Sequence, residues 1–395
     1  MIKHFSVLYV GHIALDNCGR DGTPADERRY PNERLVEGMA MAEDVAREMD
    51  SLGYHTLWMA EHHFQHEGYE VIPNLILLGT YLATQTQQLK FGCAFNVTPM
   101  WHPIRIAEDY AMADYLTKGR IVFGVGRGYH TREVESLGAP LLDTEANSAL
   151  YREQMEILFK AFNEESWSHQ GRFYTIPADV DYRGYRLENV TLVPRPVNRP
   201  VEIWQAIASG KSVPFMVQHG IKGMVTMNGE KITRMMFTQY RDEAAKIGRN
   251  LKLGEDLTWG GGLYMADSID EAVRRVRPYH DERFKWFAPF GFVRYADDEG
   301  RPWGTPGAPV GVPELEEGLR QKAWMLGPAD EIIARLKELE AEYPGLEHIM
   351  LHWAEGMPAD EWKGQLRRFA REVMPAFPSA GTRPTSAAQV AMRSS

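Results

Sequence analysis

The sequence predicts an α/β fold, a (β/α)8 TIM barrel with insertions after strand four and after strand seven. Three observations carry that prediction. Apolar runs of strand length alternate with amphipathic stretches along nearly all of the 395 residues. Such alternation implies a parallel sheet, because each return from one parallel strand to the next needs a crossover, usually a helix. Eight alternating units can be counted, which suits a closed barrel better than an open doubly wound sheet, and the length suits one such barrel with insertions.

Ile2 to Val10 is the first apolar run. A polar stretch from Asn17 to Asn32 follows, long for a connection, and long loops are usually functional or mobile. Leu35, Met39, Ala42, Val45, Met49 and Leu52 recur at three- and four-residue steps, which places them on one helix face, and Gly53 closes that helix. Tyr54 to Ala60 is strand two, Pro73 to Thr84 a helix, Leu89 to Val97 strand three, and Pro103 to Leu116 the next helix. Both helices open on proline, whose missing N–H would be unpaired in the first turn anyway. Arg120 to Val125 is strand four, Asn147 to Phe162 its helix, and residues 166–198 a polar and aromatic insertion. Val201 to Ile207, Ile221 to Met227 and Leu257 to Met265 are strands five to seven, with a short helix after Ser212 and a longer one from Lys231 to Ile247. Ser268-Ile269-Asp270-Glu271 is a capping box for the following helix. Residues 279–322 carry proline, glycine and aromatics with weak periodicity and read as the second insertion. Asp330 to Leu339 is a helix, Leu346 to Trp353 strand eight and Ala359 to Val373 the last helix. Residues 1–377 thus form one domain, and 378–395, without an apolar pattern, are expected to be disordered.

Hydrophobic residues at 44% supply a large core, and 44 Lys+Arg against 54 Asp+Glu give a formal net charge of −10. An acidic chain with no basic block suits phosphate backbones poorly, so nucleic acid is not expected as a partner. The two cysteines, Cys18 and Cys93, exclude a disulfide framework and suit a reducing cytoplasm. No signal-peptide pattern and no apolar run of about 18 residues occurs, so a membrane is not expected either.

In such barrels the chemistry lies at the C-terminal ends of the strands. After strand two stand Glu61-His62-His63-Phe64 and, further on, His66. Histidine titrates near neutrality and can move a proton, although a polar loop of locally paired histidines fits the residue types about equally well. A metal is not expected: the spacing of His62 and His66 serves zinc only on a helix, and the glutamate of an HExxH motif is missing. In strand three, Gly92, Cys93 and Ala94 are small enough to let a flat ligand approach the backbone, or simply to fit a crowded barrel interior. Cys93 reads as packed rather than nucleophilic. After strand four, Gly124-Val125-Gly126-Arg127-Gly128-Tyr129-His130 joins accessible backbone N–H groups to a bidentate donor, a setting for a mononucleotide phosphate. A dinucleotide fingerprint fits poorly, because the glycine spacing is wrong. After strand five, Ser209-Gly210-Lys211-Ser212 at a helix start is a second anion-binding candidate, beside the simpler reading of Ser209 as an N-cap.

These residues resemble the bacterial luciferase-like flavin monooxygenases. The matching stretches are GYHTLWMAEHHF at 53–64, TPMWHPIRIAEDYAMADYLTKGRIVFGVGRGY at 98–129 and GPADEIIARLKEL at 327–339. The resemblance implies the same barrel, reduced FMN as cofactor supplied by a separate flavin reductase, O2 as co-substrate, and a flavin C4a-hydroperoxide that oxygenates a small lipophilic substrate. By resemblance His62 is the catalytic histidine, with His63 beside it. Ala94-Phe95 is the place of a non-prolyl cis peptide under the flavin ring, with Asn96 adjoining. Arg127, with Gly128 and Tyr129, meets the flavin phosphate, and Ala208, Ser209, Gly210 and Ser212 lie near the same phosphate. Segment 279–322 falls where the family carries a mobile lid, and homodimers are usual. Two residues depart from luciferase itself: Gly126 stands in place of a cysteine and Ala208 in place of a glutamate, so neither light emission nor an aldehyde substrate is implied. The alternatives are an F420-dependent oxidoreductase on the same barrel, a non-catalytic flavin-binding subunit, and a metal hydrolase resting only on clustered histidines.

Overall fold

The computed structural model describes residues 1–304, 308 and 311–378. Eight parallel strands close into the expected barrel: β1 (His4–Tyr9), β2 (Thr56–Met59), β3 (Lys90–Cys93), β4 (Ile121–Gly126), β5 (Ile203–Ala206), β6 (Lys222–Thr226), β7 (Leu257–Met265) and β8 (His348–His352). Neighbours in the sheet follow chain order, and the ring shuts where β8 returns to β1, with His4 opposite His348 and Leu8 opposite His352.

Side chains alternate across each strand. Leu8, Trp58, Ala94, Val122, Trp204, Met224 and Met350 pack together inside the barrel. Phe5, Val7, Leu57, Phe91, Phe123, Val225 and Leu351 face outward into the core beneath the helices. Two indoles, Trp58 and Trp204, fill the interior with ring centroids 5.8 Å apart. Glycines make room for this: a Cβ on Gly92 would stand 2.0 Å from the Trp58 ring, and one on Gly124 1.8 Å from the Cys93 carbonyl oxygen.

Among the helices are α1 (Glu37–Leu52), α2 (Leu75–Thr84), α3 (Pro103–Thr117), α4 (Thr144–Asn163), α5 (Val213–Gln218), α6 (Glu230–Lys246), α7 (Ile269–Phe287), α8 (Ala329–Glu342) and α9 (Ala359–Glu372). Gly53 ends α1 in the left-handed region, at φ 84. Pro103 opens α3, and the Ser268 hydroxyl accepts the Glu271 N–H at the start of α7. Helix α2 starts later than Pro73, because the Asn74 side chain caps it by accepting the Leu77 N–H. Two short antiparallel hairpins, His169–Gln170 with Thr175–Ile176 and Asp181–Tyr182 with Tyr185–Arg186, lie within 166–198.

The segment after β7 differs most from expectation. Helix α7 runs on to Phe287, so residues 279–287 are helical rather than irregular. Its periodicity is hidden because this half is covered nearly all round: His280, Asp281, Glu282, Arg283, Phe284, Trp286 and Phe287 are all buried, which leaves no polar face to read. A ninth strand, Trp324–Gly327, pairs with the outer end of β7, Gly262 opposite Trp324 and Met265 opposite Gly327. Of the expected disordered tail, residues 379–395 lie outside the described residues.

Candidate active site

The loop after β2 carries His62 into a buried polar network at the barrel mouth. His62 is 5% exposed. Its Nδ1 lies 3.2 Å from Glu133 Oε2, and its Nε2 lies 2.9 Å from Glu70 Oε1. The Tyr129 hydroxyl donates to Glu70 Oε1 at 2.8 Å and lies 3.1 Å from His62 Nε2. Gln65 Nε2 donates to Glu133 Oε1, and Trp286 Nε1 to Glu70 Oε2 at 3.0 Å. Burial alone would lower the His62 pKa, but the carboxylates of Glu70 and Glu133 outweigh it and raise it to about 10. His62 is therefore an imidazolium at neutral pH. Burial pushes Glu70 up, yet His62 and His130 hold its carboxyl well below the usual range.

His62, Glu70 and His130 place three ligand atoms within 4.8 Å of one another, so a metal triad has to be weighed. Both Glu70 oxygens already receive N–H or O–H donors, one of them the Trp286 indole N–H, which has no basic lone pair to offer a metal. The donor set is that of a hydrogen-bonded carboxylate.

The neighbouring acidic and histidine residues have other work. Glu61 is buried and accepts from the Val97 N–H at 2.9 Å and the Trp101 Nε1–H at 2.8 Å, while His63 Nε2 lies 3.1 Å away. His63 thus pairs locally and stands outside the His62 network. His66 faces Glu67, itself held bidentately by Arg132.

Strands β3, β4 and β5 end side by side, since Gln205 lies opposite Val125 and Asn96 opposite Val125 on its other edge. Ala94, Phe95, Gly126 and Ala206 are small or half-buried there, and the Ala94–Phe95 peptide is cis. Asn96 is buried with its amide donating to the Gly124 carbonyl at 2.9 Å, so it shapes the mouth from beneath. Gly128, at φ 80, turns the chain outward where a Cβ would meet Val134 at 2.5 Å. Arg127 is exposed and makes no ion pair among the described residues. The Ser209 hydroxyl makes no capping hydrogen bond, and Ser212 Oγ reaches only the Ser209 carbonyl at 3.4 Å. The Gly210 carbonyl accepts from Gln239 and that of Ala208 from Arg294. A guanidinium and two serine hydroxyls with uncommitted hydrogen-bonding capacity fit a phosphate-bearing cofactor. Helix α5 has only six residues, so its own dipole adds little.

With this geometry in hand, the match to known proteins is specific. Residues 19–346 match the luciferase-like monooxygenase family. The chain belongs to that family. The flavin-dependent trigonelline monooxygenase, oxygenase component, of Acinetobacter baylyi is 27% identical over 343 residues, covering 83% of this chain and 87% of that one. The oxygenating constituent of 3,6-diketocamphane monooxygenase from Pseudomonas putida, solved in complex with FMN, has a TM-score of 0.72 at 19% identity, covering 95% and 98% of the two chains. An F420-dependent secondary alcohol dehydrogenase has a TM-score of 0.61 at 13% identity, covering 96% and 99%. At these identities the two structural likenesses show the barrel alone. The enzyme class expected from the motifs, a flavin-dependent monooxygenase, is met.

In this luciferase-like monooxygenase the mouth is roofed by the second half of α7. Trp286 stacks on Tyr69 with centroids 4.5 Å apart and planes 7° apart. The Tyr69 hydroxyl donates to Glu282, and Arg28 donates to the same carboxylate at 3.0 Å, both side chains being almost fully buried. Arg28 also donates to the Asp16 carbonyl at 2.7 Å, so the long polar loop after β1 is pinned beneath α7. Beyond the helix, Phe290 and Phe292 reach Tyr129, with centroids 5.6 and 4.7 Å away. Sequence reasoning missed Glu70, Glu133 and Glu282. Each is a single glutamate in a polar stretch, and only the imidazole or guanidinium that the fold brings to it marks it as buried.

Proposed function

We propose that the chain is the oxygenase component of a two-component monooxygenase, taking reduced FMN from a separate reductase and O2 from solution to oxygenate a small lipophilic organic substrate. The observation that carries this reading is His62, held as an imidazolium between two buried carboxylates at a mouth shared with Arg127 and Ser209. Arg127, Ser209 and Ser212 hold the flavin phosphate, and Ala94, Phe95, Gly126 and Ala206 form the floor for its ring. Bound reduced FMN supplies the electrons with which O2 is activated. His62 holds a proton between Glu70 and Glu133 at the mouth, where it can be relayed to the reacting centre. The aromatic roof of Trp286, Phe290 and Phe292 limits water.

The same reading makes the protein a cytoplasmic homodimer built on one domain over residues 1–377. Leu77 on α2 is 70% exposed, and Tyr81, Met112, Tyr115 and Leu116 on α2 and α3 are exposed with it, an apolar patch of the kind that self-association covers. Among the described residues no helix is long and apolar enough to cross a membrane.

Rapid mixing of the protein and photoreduced FMN with oxygenated buffer tests the reading. Flavin reoxidation should slow markedly, and a screen of small organic compounds should yield a product heavier by one oxygen atom. Reoxidation at the rate of free flavin would defeat it, and F420 binding tighter than FMN would reverse the cofactor assignment.

A further inference from the structure

The end of the barrel away from the mouth carries a cluster of titratable groups that the roles above leave unassigned. His4 opens β1 and His348 opens β8, opposite each other where the ring shuts, and His55 stands just before β2. The His4 ring meets both of the others, with centroids 4.0 Å from His55 and 4.6 Å from His348. Three imidazoles thus bridge β8, β1 and β2 across the closing seam. Trp204 meets His348 from the barrel interior, with centroids 5.2 Å apart. Among the described residues no carboxylate lies within ion-pair reach of the His4 or His348 ring. The carboxylates nearby are engaged by lysines instead, Glu347 by Lys3 at 2.5 Å and Glu202 by Lys222 at 2.6 Å, and Lys90 at the start of β3 adds a half-buried ammonium. A cavity of about 560 Å³ has His348 in its wall and gives water a way to the stack; across it the Lys252 N–H holds Glu255, and Arg249 holds Asp256 at 2.7 Å.

We propose that the stack is an acid-released latch on the closing seam: neutral, it holds β8, β1 and β2 together at their N-terminal ends, and on taking up protons it lets them part. Neutral rings stack in van der Waals contact, whereas imidazoliums beside three lysines repel. The charged groups that act on the stack are Lys3, Lys90, Glu202, Lys222 and Glu347. Burial, with Lys90 next, brings His4 down to about 4 against the opposite pull of Glu347 and Glu202. Burial, with His4, Lys222, Lys90 and Lys3, holds His348 well below its usual value. Once the seam is open each ring regains the usual 6.5, so the open form takes up protons first. The latch is therefore at full strength above pH 6.5 and weakens as pH falls toward about 4. It works without any ligand and does not depend on the flavin reading.

Hydrogen exchange followed by mass spectrometry on the full chain, corrected for the intrinsic pH dependence of exchange, reads the seam locally. Between about pH 7.5 and 5.5, protection of β1, β2 and β8 should fall about tenfold if one ring takes a proton on opening and about a hundredfold if both do, while that of β4 across the barrel changes little. His4→Phe and His348→Phe keep a ring in the stack and remove its proton site, and each should cancel about tenfold of the fall. His12 and His352, buried and neutral near the mouth, act alike in wild type and variants and drop out of the comparison. If neither variant folds, the wild-type rings decide, since NMR should find His4 and His348 still neutral at about pH 5. An equal fall in β4, variants that keep the full pH dependence, or folded-state rings that titrate near 6.5 would each overturn the proposal.

Discussion

Replacing Glu133 by glutamine should bring the His62 pKa down toward neutrality. Glu133 Oε2 lies 3.2 Å from His62 Nδ1. At an effective dielectric of about 20, a unit charge at that distance contributes ~5 kcal/mol, nearly 4 pK units. Glutamine keeps an acceptor for the Nδ1–H, and Glu70 remains 2.9 Å from Nε2. Part of the effect therefore survives, and we expect a fall of roughly 2–3 units from the starting value near 10. The consequence for stability has a definite sign. A raised folded-state pKa stabilises fully below the unfolded value of 6.5, and that contribution is lost as pH rises toward about 10. The variant should lose it at lower pH than the wild type. Histidine Cε1–Hε1 shifts followed by NMR against pH, together with urea unfolding at several pH values, measure both effects. A wild-type His62 that titrates near 6.5, or a variant with an unmoved pKa, would refute the reasoning.

Arg127→Ala should weaken FMN binding by about tenfold or more with little change in unfolding midpoint, since the side chain is exposed and makes no ion pair among the described residues. Flavin fluorescence titration checks this, and unchanged affinity would remove Arg127 from the phosphate site. Glu282→Gln should destabilise by roughly 2–4 kcal/mol in urea, because it leaves the Arg28 guanidinium buried without its counter-charge; a loss within experimental error would mean that Tyr69 and the loop carbonyls suffice. Leu77→Arg should convert a dimer to a monomer in light scattering without lowering FMN affinity, because the residue lies on the exposed face of α2; a wild type that is already monomeric would dispose of the proposed interface.

The eight barrel strands were legible because each is apolar on the outward face and bounded by turn residues, as in Leu257–Met265, buried along its whole length. The ninth strand was not: Trp324–Gly327 is four residues long and runs straight into α8, so it offers no alternation to count. Helix α7 extends past the expected boundary because its second half is buried nearly all round and shows no polar face, and Pro278 inside it reads as a stop. At the site, His62 stood out because two histidines after a strand are conspicuous. Its partners Glu70 and Glu133 did not, because a carboxylate looks solvated until a fold places it within 3.3 Å of an imidazole. By residue type His63 reads like His62, the resemblance favours His62, and the fold gives the two histidines different carboxylates, Glu61 and Glu70. Tyr129 lay in the stretch expected to meet the flavin phosphate, yet its hydroxyl is committed to Glu70 and its ring to Phe290 and Phe292.

The segment expected to act as a mobile lid is tied down over its first part. Arg28 and Tyr69 share one carboxylate with α7, and Lys285 donates to the Gly19 and Thr23 carbonyls. Swinging α7 aside would tear apart a buried ion pair to which three elements contribute, a cost not shared by the exposed residues 289–291 beyond it. That divides the roof into a fixed beam and a replaceable panel. Selection for new substrates can redecorate Phe290 and Phe292 at little structural risk, whereas changes at Arg28, Tyr69 or Glu282 reach the fold before they reach the chemistry.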